Sequence, residues 1–65
     1  MNGTIKFFND ERGFGFISRD GGDDVFVHRS NMDVDRTTLI EPGQAVEFEI
    51  RPGRKGEEAY DVKLV

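Results

Sequence analysis

Hydrophobic and polar residues alternate in short segments of this chain, and that pattern predicts β-strands. The clearest segment runs from Ala45 to Arg51, where Val46, Phe48 and Ile50 alternate with charged residues. Successive side chains of a strand point to opposite faces. We therefore expect the three hydrophobic side chains to face a core and the charged ones to face solvent.

Four other segments have the character of strands and are separated by turn signals. They are residues 4–9, 13–18, 24–28 and 58–64. The polar residues 9–13 and the glycines of residues 20–23 predict tight turns, which would join the first three strands as an antiparallel meander. In the last segment we expect Tyr60, Val62 and Leu64 to share one side.

The connection between the third and fourth strands is longer and covers residues 29–41. Ser30 to Met32 can form one helical turn within it, with Met32 filling the core. No segment has a sustained helical period. The pattern therefore predicts an all-β fold, a five-stranded antiparallel barrel, because closing a small sheet removes its exposed edges.

Composition restricts the kind of protein further. Sixty-five residues without cysteine make one small domain, residues 1–65, that no disulfide or thiolate metal site stabilises. No apolar run is long enough to cross a bilayer, and no signal-peptide pattern opens the chain. We therefore expect a soluble, cytoplasmic monomer with no membrane partner, small-molecule substrate, cofactor or metal.

Aromatic residues at alternate positions form the most informative feature of the chain. Phe14 and Phe16 alternate with glycines, and Phe26 and His28 alternate with valines. The aliphatic residues between them are natural core residues, which disfavours the alternative that the phenylalanine rings are themselves core. We therefore expect the rings to point outward, where a row of rings is a surface on which unpaired bases can stack.

His28 and the carboxylates admit other interpretations. A sole histidine in a chain without cysteine lacks the ligand set for zinc and a convincing nucleophile partner. Stacking is therefore favoured for His28. Asp23 and Asp24 could suggest a cation site, but a charged hairpin turn is the favoured interpretation. The carboxylates fall mainly on turns and solvent faces, which disfavours an enzyme such as a nuclease.

The charge balance is acidic, with thirteen acidic and nine basic residues and a net charge of −4. This argues mildly against nucleic acid, whose binders usually carry a basic footprint. Lys6 and Arg12 neighbour the aromatic positions, however, so we expect them to contact phosphates. For Arg29, Arg54 and Lys55, phosphate contact and simple solvation remain open.

With these segments set out, the chain resembles the bacterial cold-shock proteins over nearly its whole length. The segments that carry the resemblance, in the family's order and spacing, are Phe7-Phe8-Asn9, Arg12-Gly13-Phe14-Gly15-Phe16-Ile17, Asp24-Val25-Phe26-Val27-His28, Gly43-Gln44-Ala45-Val46 and Phe48-Glu49-Ile50. Two of these segments look like ribonucleoprotein motifs. An RNA-recognition-motif domain shares a similar first motif but needs two helices and more residues.

The resemblance implies an OB-type barrel that binds single-stranded RNA or DNA, prefers pyrimidine-rich stretches and acts as an ATP-independent RNA chaperone. The family's binding positions correspond to Lys6, Phe7, Phe8, Arg12, Phe14, Phe16, Phe26, His28 and the loop region 54–58, which includes Arg54, Lys55 and Glu58. The resemblance also implies a bulge or strong coil that exposes both Phe7 and Phe8. For Phe8, partial burial is the alternative, with Ile5 as the core residue of that strand.

The chain also departs from the family pattern. Phe7 stands where the family usually has tryptophan, Arg29 follows the histidine in place of an aromatic residue, and Glu57-Glu58 replaces an uncharged Pro-Gln pair. A rival interpretation is a protein-interaction module, in which the acidic surface, residues 29–41 and the aromatic patch contact a protein partner.

Overall fold

The computed structural model describes residues 1–35, 37–54 and 56–65. Its strands are β1 (Asn2–Asn9), β2 (Phe14–Ser18), β3 (Val25–His28), β4 (Ala45–Gly53) and β5 (Gly56–Leu64). All five predicted strands are therefore confirmed, with ends that shift by a few residues. Among the described residues, no helix has the length and apolar character needed to cross a membrane.

The five strands form a closed barrel in the order β1-β2-β3-β5-β4. Strands β1, β2 and β3 pair in the expected antiparallel meander, and β4 pairs antiparallel with both β1 and β5. The pair that closes the barrel, β3 with β5, is parallel. The predicted five-stranded barrel is confirmed, and its one parallel junction within the described strands was not anticipated.

The interior of the barrel is filled by one cluster of hydrophobic side chains. Its members are Ile5, Ile17, Val25, Val27, Met32, Ile40, Val46, Phe48, Ala59 and Val62. The aliphatic residues of β2 and β3 thus point inward as alternation predicted. A short 3-10 helix at Arg29–Asn31 follows β3, and Met32 after it is 7% exposed and bridges to Val62. Met32 fills the core as expected.

A bulge in β5 overturns the expectation that Tyr60, Val62 and Leu64 share one side. The pairing of β4 with β5 shifts between Glu47 and Glu49, opposite a stretch of β5 in which Asp61 has a φ of 51°. The extra residue leaves Ala59 and Val62 both buried. Tyr60 lies on the outer side instead, because a bulge breaks the strict alternation of side chains.

A second bulge lies in β1, between Ile5 and Phe7. Ile5 pairs with Ile17 and Phe7 pairs with Phe16, so Lys6 is the extra residue of the longer strand. Ile5 is 1% exposed, whereas Lys6 and Phe7 are both exposed. The bulge therefore turns two consecutive side chains outward and brings Phe7 to the side of the rings of β2.

Candidate nucleic-acid interface

Four phenylalanine rings from three adjacent strands form a closed cluster on the outside of the barrel. Phe7 lies 5.9 Å from Phe16 and 6.1 Å from Phe14 between ring centroids. Phe26 lies 5.8 Å from Phe14 and 5.7 Å from Phe16. The rings alternate between stacked and edge-to-face contacts, the arrangements that aromatic pairs prefer. We refer to these four residues as the ring cluster.

The ring cluster is accessible to solvent. Phe7 is 41% exposed, and the other three rings are partly exposed. The side chains beneath them, Ile17, Val25 and Val27, are at most 1% exposed and belong to the core. The rings are thus an additional apolar layer on the outer face, which soluble proteins rarely expose without a binding role.

The backbone explains why these rings meet. Phe7 pairs with Phe16 across β1 and β2, and Phe16 pairs with Phe26 across β2 and β3, so the three residues form one row across the sheet. Residues opposite each other in a sheet present their side chains on the same face. Gly15 lies between Phe14 and Phe16 on the inner side, where a Cβ would collide with the Phe7 carbonyl oxygen and lie 2.7 Å from Phe8 Cδ1.

His28 extends the ring cluster along β3. It pairs with Phe14 across the strands and its side chain is exposed. The backbone N–H of Ser30 donates to His28 Nδ1 at 3.2 Å, and the Ser30 hydroxyl lies 2.9 Å from the same nitrogen. In the neutral ring Nδ1 is then the acceptor and Nε2 carries the proton. The imidazole is therefore held at the start of the 3-10 helix beside the rings.

Phe8 lies apart from the ring cluster. It is half-buried, packs against the core, and has the Arg29 guanidinium 6.0 Å from its ring centroid. Arg29 also approaches Asp10, at 3.6 Å, and donates to the carbonyl oxygen of Thr38 at 3.4 Å. Of the two alternatives for Phe8, the structure shows the partly buried one, with Arg29 joining it to the neighbouring loops.

Lys6 is engaged in an ion pair. Its Nζ lies 2.6 Å from Oδ2 of Asp24, which precedes β3. Both residues lie near the level of Ile17, so the pair crosses β2 beside the ring cluster. The side chains are 60% and 36% exposed. A surface pair of this kind is weak, and an incoming phosphate can compete for the ammonium group.

Two further basic residues predicted to bind, Arg12 and Arg54, lie on turns. The Asn9 side-chain oxygen accepts hydrogen bonds from the backbone N–H groups of Glu11 and Arg12, which fixes the β1–β2 turn. The Arg12 side chain is exposed on that turn, next to Phe14. Arg54 is exposed in the β4–β5 hairpin. Lys55, the other basic residue predicted there, lies outside the described residues.

The two adjacent glutamates have different surroundings. Glu57 accepts a hydrogen bond from Arg19 at 3.1 Å, and Arg19 also donates to the carbonyl oxygen of Asp23 at 3.0 Å. Glu58 is the parallel partner of Phe26, and its side chain lies over Gly53. Glu58 is therefore the glutamate that borders the ring cluster within the sheet.

Sequence reasoning missed the Tyr60 ring on the outer side of the barrel. The Arg51 guanidinium carbon lies 4.9 Å from its centroid, within the range of a cation–π contact. The alternation of Tyr60, Val62 and Leu64 suggested a common inward side. The usable signal was the stretch Ala59-Tyr60-Asp61-Val62, because a small residue and a valine three positions apart can both be inward only if the strand is bulged.

Comparison with known proteins identifies the class to which this barrel and its ring cluster belong. The model of the 'Cold-shock' DNA-binding domain family matches residues 1–65. The chain belongs to this family of nucleic-acid-binding domains, and the resemblance noted in the sequence is confirmed.

Individual relatives agree with this assignment. The chain is 46% identical over 65 residues to a cold shock-like protein of Thermotoga maritima, covering 100% of this chain and 98% of the relative. It is 52% identical over 62 residues to the cold shock-like protein CspLB of Listeria monocytogenes, covering 95% and 94%. The solved structure of Drosophila Unr CSD456 matches with a TM-score of 0.76 and 26% identity. That match covers 98% of this chain and 26% of the Unr chain.

Proposed function

We propose that this protein, acting as one domain over residues 1–65, binds single-stranded RNA and DNA without catalysing a reaction. The ring cluster is the observation that carries the proposal, because its four rings lie 5.7 to 6.1 Å apart on an accessible face. Bases stack on Phe7, Phe14, Phe16 and Phe26, with His28 as a fifth position. Bases in a duplex already stack on each other, so this surface favours strands whose bases are unpaired.

Stacking supplies most of the affinity. Each base–aromatic stack is worth about 1–3 kcal/mol, so several stacks offset the repulsion between phosphates and a protein of net charge −4. Lys6 and Arg12 contact phosphates beside the rings, Arg29 and Arg54 are further candidates for phosphate contact, and for Lys55 such a contact stays a prediction from the sequence. At about 0.15 M salt the Debye length is about 8 Å, which restricts the effect of more distant carboxylates.

An RNA chaperone activity follows from the same binding. A protein that binds unpaired bases shifts the equilibrium of a weak hairpin toward its open form by mass action, and this requires no ATP. A preference for pyrimidine-rich strands is the expectation that family membership supplies. The small phenylalanine platform at residue 7 is compatible with small bases.

The test is equilibrium binding of an oligothymidine strand, compared with a duplex that contains the same strand. We expect the single strand to bind more tightly, and oligothymidine to bind more tightly than oligoadenosine. A labelled RNA hairpin of marginal stability should open when the protein is added without nucleotide. Equal or tighter binding of the duplex would refute the proposal, and no binding of any nucleic acid would favour a protein-interaction module.

A matched pair of variants connects the activity to the surface. Phe14→Ala should weaken single-strand binding by about 1–3 kcal/mol and reduce hairpin opening with it, because Phe14 contacts both Phe7 and Phe26. Leu39→Ala removes an exposed apolar residue in the long connection and should leave both activities near wild type. Hairpin opening that survived undiminished in Phe14→Ala would separate the chaperone activity from the ring cluster.

A further inference from the structure

The outer face of the ring cluster continues beyond β3 onto β5. The parallel pairing places Glu58 opposite Phe26 and Ala59 opposite Val27. β3 ends at His28, and the same register continued by one residue brings Tyr60 level with His28. Adjacent strands lie about 5 Å apart, so the tyrosine is close enough to receive the next base of a strand that stacks on His28.

The bulge at Asp61 is what makes Tyr60 part of this face. Ala59 and Val62 are both fully buried, and the two residues between them both lie outside the core. Asp61 is the residue of the bulge with an unusual backbone conformation. Its φ of 51° lies in the left-handed region that non-glycine residues seldom adopt. The strand thus accepts an unfavourable backbone conformation where Tyr60 turns outward.

Arg51 completes the arrangement. Its guanidinium group lies over the Tyr60 ring, with the guanidinium carbon 4.9 Å from the ring centroid. Guanidinium planes stack on bases as aromatic rings do, and they bring a positive charge toward the phosphates. We propose that Tyr60 and Arg51 form an additional base-stacking position, next to His28, which lengthens the binding site for single strands.

The surroundings favour a base over a phosphate at this position. Tyr60 borders a groove of about 560 Å³ between the 3-10 helix and β4–β5, which is also lined by Ser30 and Asn31. Their hydroxyl and amide groups can form hydrogen bonds with the edge of a base. Four carboxylates line the same groove together with the Lys63 ammonium group; they belong to Asp33, Glu47, Glu49 and Asp61. Their excess repels phosphates, so the backbone of the bound strand passes on the Arg51 side.

This inference rests on the proposed function. The two can be tested separately by varying the length of the bound strand, because only long strands would reach Tyr60. We would measure the affinities of oligothymidines from two to eight nucleotides for the wild type, Tyr60→Ala and Arg51→Lys. Short strands occupy the ring cluster and should bind all three proteins alike. The longest strands should bind Tyr60→Ala about 5- to 150-fold more weakly than the wild type, the range that corresponds to one stack of about 1–3 kcal/mol.

Two controls define the chemistry. Arg51→Lys keeps the charge but loses the planar group, so it should also bind long strands more weakly. Phe26→Ala should weaken short and long strands alike, because it removes a ring of the cluster. Urea unfolding of each variant verifies that the barrel is intact under the conditions of the binding experiment.

The fluorescence of the protein provides a direct readout. Tyr60 is the sole tyrosine and the chain has no tryptophan. We expect long strands to quench the tyrosine emission and the shortest strands to leave it unchanged. If long strands bind the wild type without quenching and bind Tyr60→Ala with wild-type affinity, the additional position is refuted while the proposed function stands. If no strand binds the wild type, both are refuted.

Discussion

Phe16 and Ile17 are consecutive residues of β2 that face opposite sides of the sheet. Phe16 contacts two rings of the cluster on the outer face. Ile17 is completely buried on the inner face. The alternation of side chains along one strand thus places one residue on the proposed binding face and the next in the core.

Alanine substitutions at these two positions should separate the two roles. Phe16→Ala should weaken single-strand binding by about 1–3 kcal/mol, the value of one stack. Ile17→Ala should lower the free energy of unfolding by roughly 2–5 kcal/mol, because it leaves a cavity in the core. Urea unfolding and oligothymidine titration measure both quantities. If Phe16→Ala were the more destabilising and its folded fraction bound normally, the ring would be core.

Alternation predicted the sides of most residues correctly and failed where a bulge interrupts it. The outward sides of Phe14, Phe16 and Phe26 could be read from the aliphatic residues between them. The side of Tyr60 was missed because plain alternation assumes a regular strand, and only the three-residue spacing of Ala59 and Val62 indicated the bulge that the positive φ of Asp61 accommodates. The ion pairs Lys6–Asp24 and Arg19–Glu57 could not be predicted either, because each joins residues that are distant along the chain.

At the scale of strands, Gly15 determines how closely β1 and β2 approach. A Cβ at this position would collide with the Phe7 carbonyl oxygen, and it would lie 2.7 Å from Phe8 Cδ1 and 2.8 Å from Phe8 Cα. The backbone and the packed Phe8 ring cannot move aside to make room for a Cβ, whereas the end of a flexible side chain could. The glycine therefore allows the bulged β1 to bring Phe7 to the ring cluster.

Gly15→Ala should accordingly destabilise the barrel by about 1–3 kcal/mol, the usual cost of inserting an extra methyl group into a packed site. It should also weaken single-strand binding, because relief of the collision moves Phe7 away from Phe16. Urea unfolding and oligothymidine titration measure the two effects. Gly21→Asn is the control, since Gly21 has a φ of 71° that asparagine tolerates and no atom lies within 4 Å of its added Cβ. Equal stabilities of Gly15→Ala and wild type would contradict this account.

The ion pair between Lys6 and Asp24 connects the bulge of β1 to the start of β3. Asp24→Asn should tighten single-strand binding, because it releases the ammonium group and removes a carboxylate beside the rings. If Lys6 then contacts a phosphate, the slope of log affinity against log salt should steepen by about 0.7. Stability should change by less than about 1 kcal/mol, as for other exposed pairs. An unchanged slope would show that Lys6 makes the same contact in both proteins.

The strands themselves were largely predictable, whereas one feature of their assembly was not. Turn residues and alternation located all five strands and predicted a closed barrel, and the resemblance to the family identified it as an OB-type barrel. The parallel pairing of β3 with β5 comes before the long connection, in which Met32 forms a further parallel bridge with Val62. A connection without alternation carries no such information, because its path is set by packing against strands far away in sequence.

At the scale of the whole molecule, the protein must bind a polyanion with a net charge of −4. Lys6 lies beside the ring cluster and Arg12 on the adjoining β1–β2 turn, while Glu57 is already paired with Arg19. Glu58 is the cross-strand neighbour of Phe26 and borders the ring cluster on the β5 side. The arrangement of charges therefore matters more to binding than their sum.

Glu58→Gln tests this view against a control of equal charge. The substitution should tighten single-strand binding by about 2- to 5-fold at low salt, since a unit charge at 4 Å is worth about 1 kcal/mol in water. Glu41→Gln removes the same charge from an exposed turn before β4 and should have less effect. Raising the salt from about 0.01 M to 0.15 M shortens the Debye length from about 30 Å to about 8 Å, so the remaining effect of Glu41→Gln should vanish first. Equal effects of both variants at every salt concentration would mean that only net charge counts. No effect of Glu58→Gln at low salt would mean that the bound strand leaves the ring cluster without passing β5, which would also direct it away from Tyr60 and Arg51.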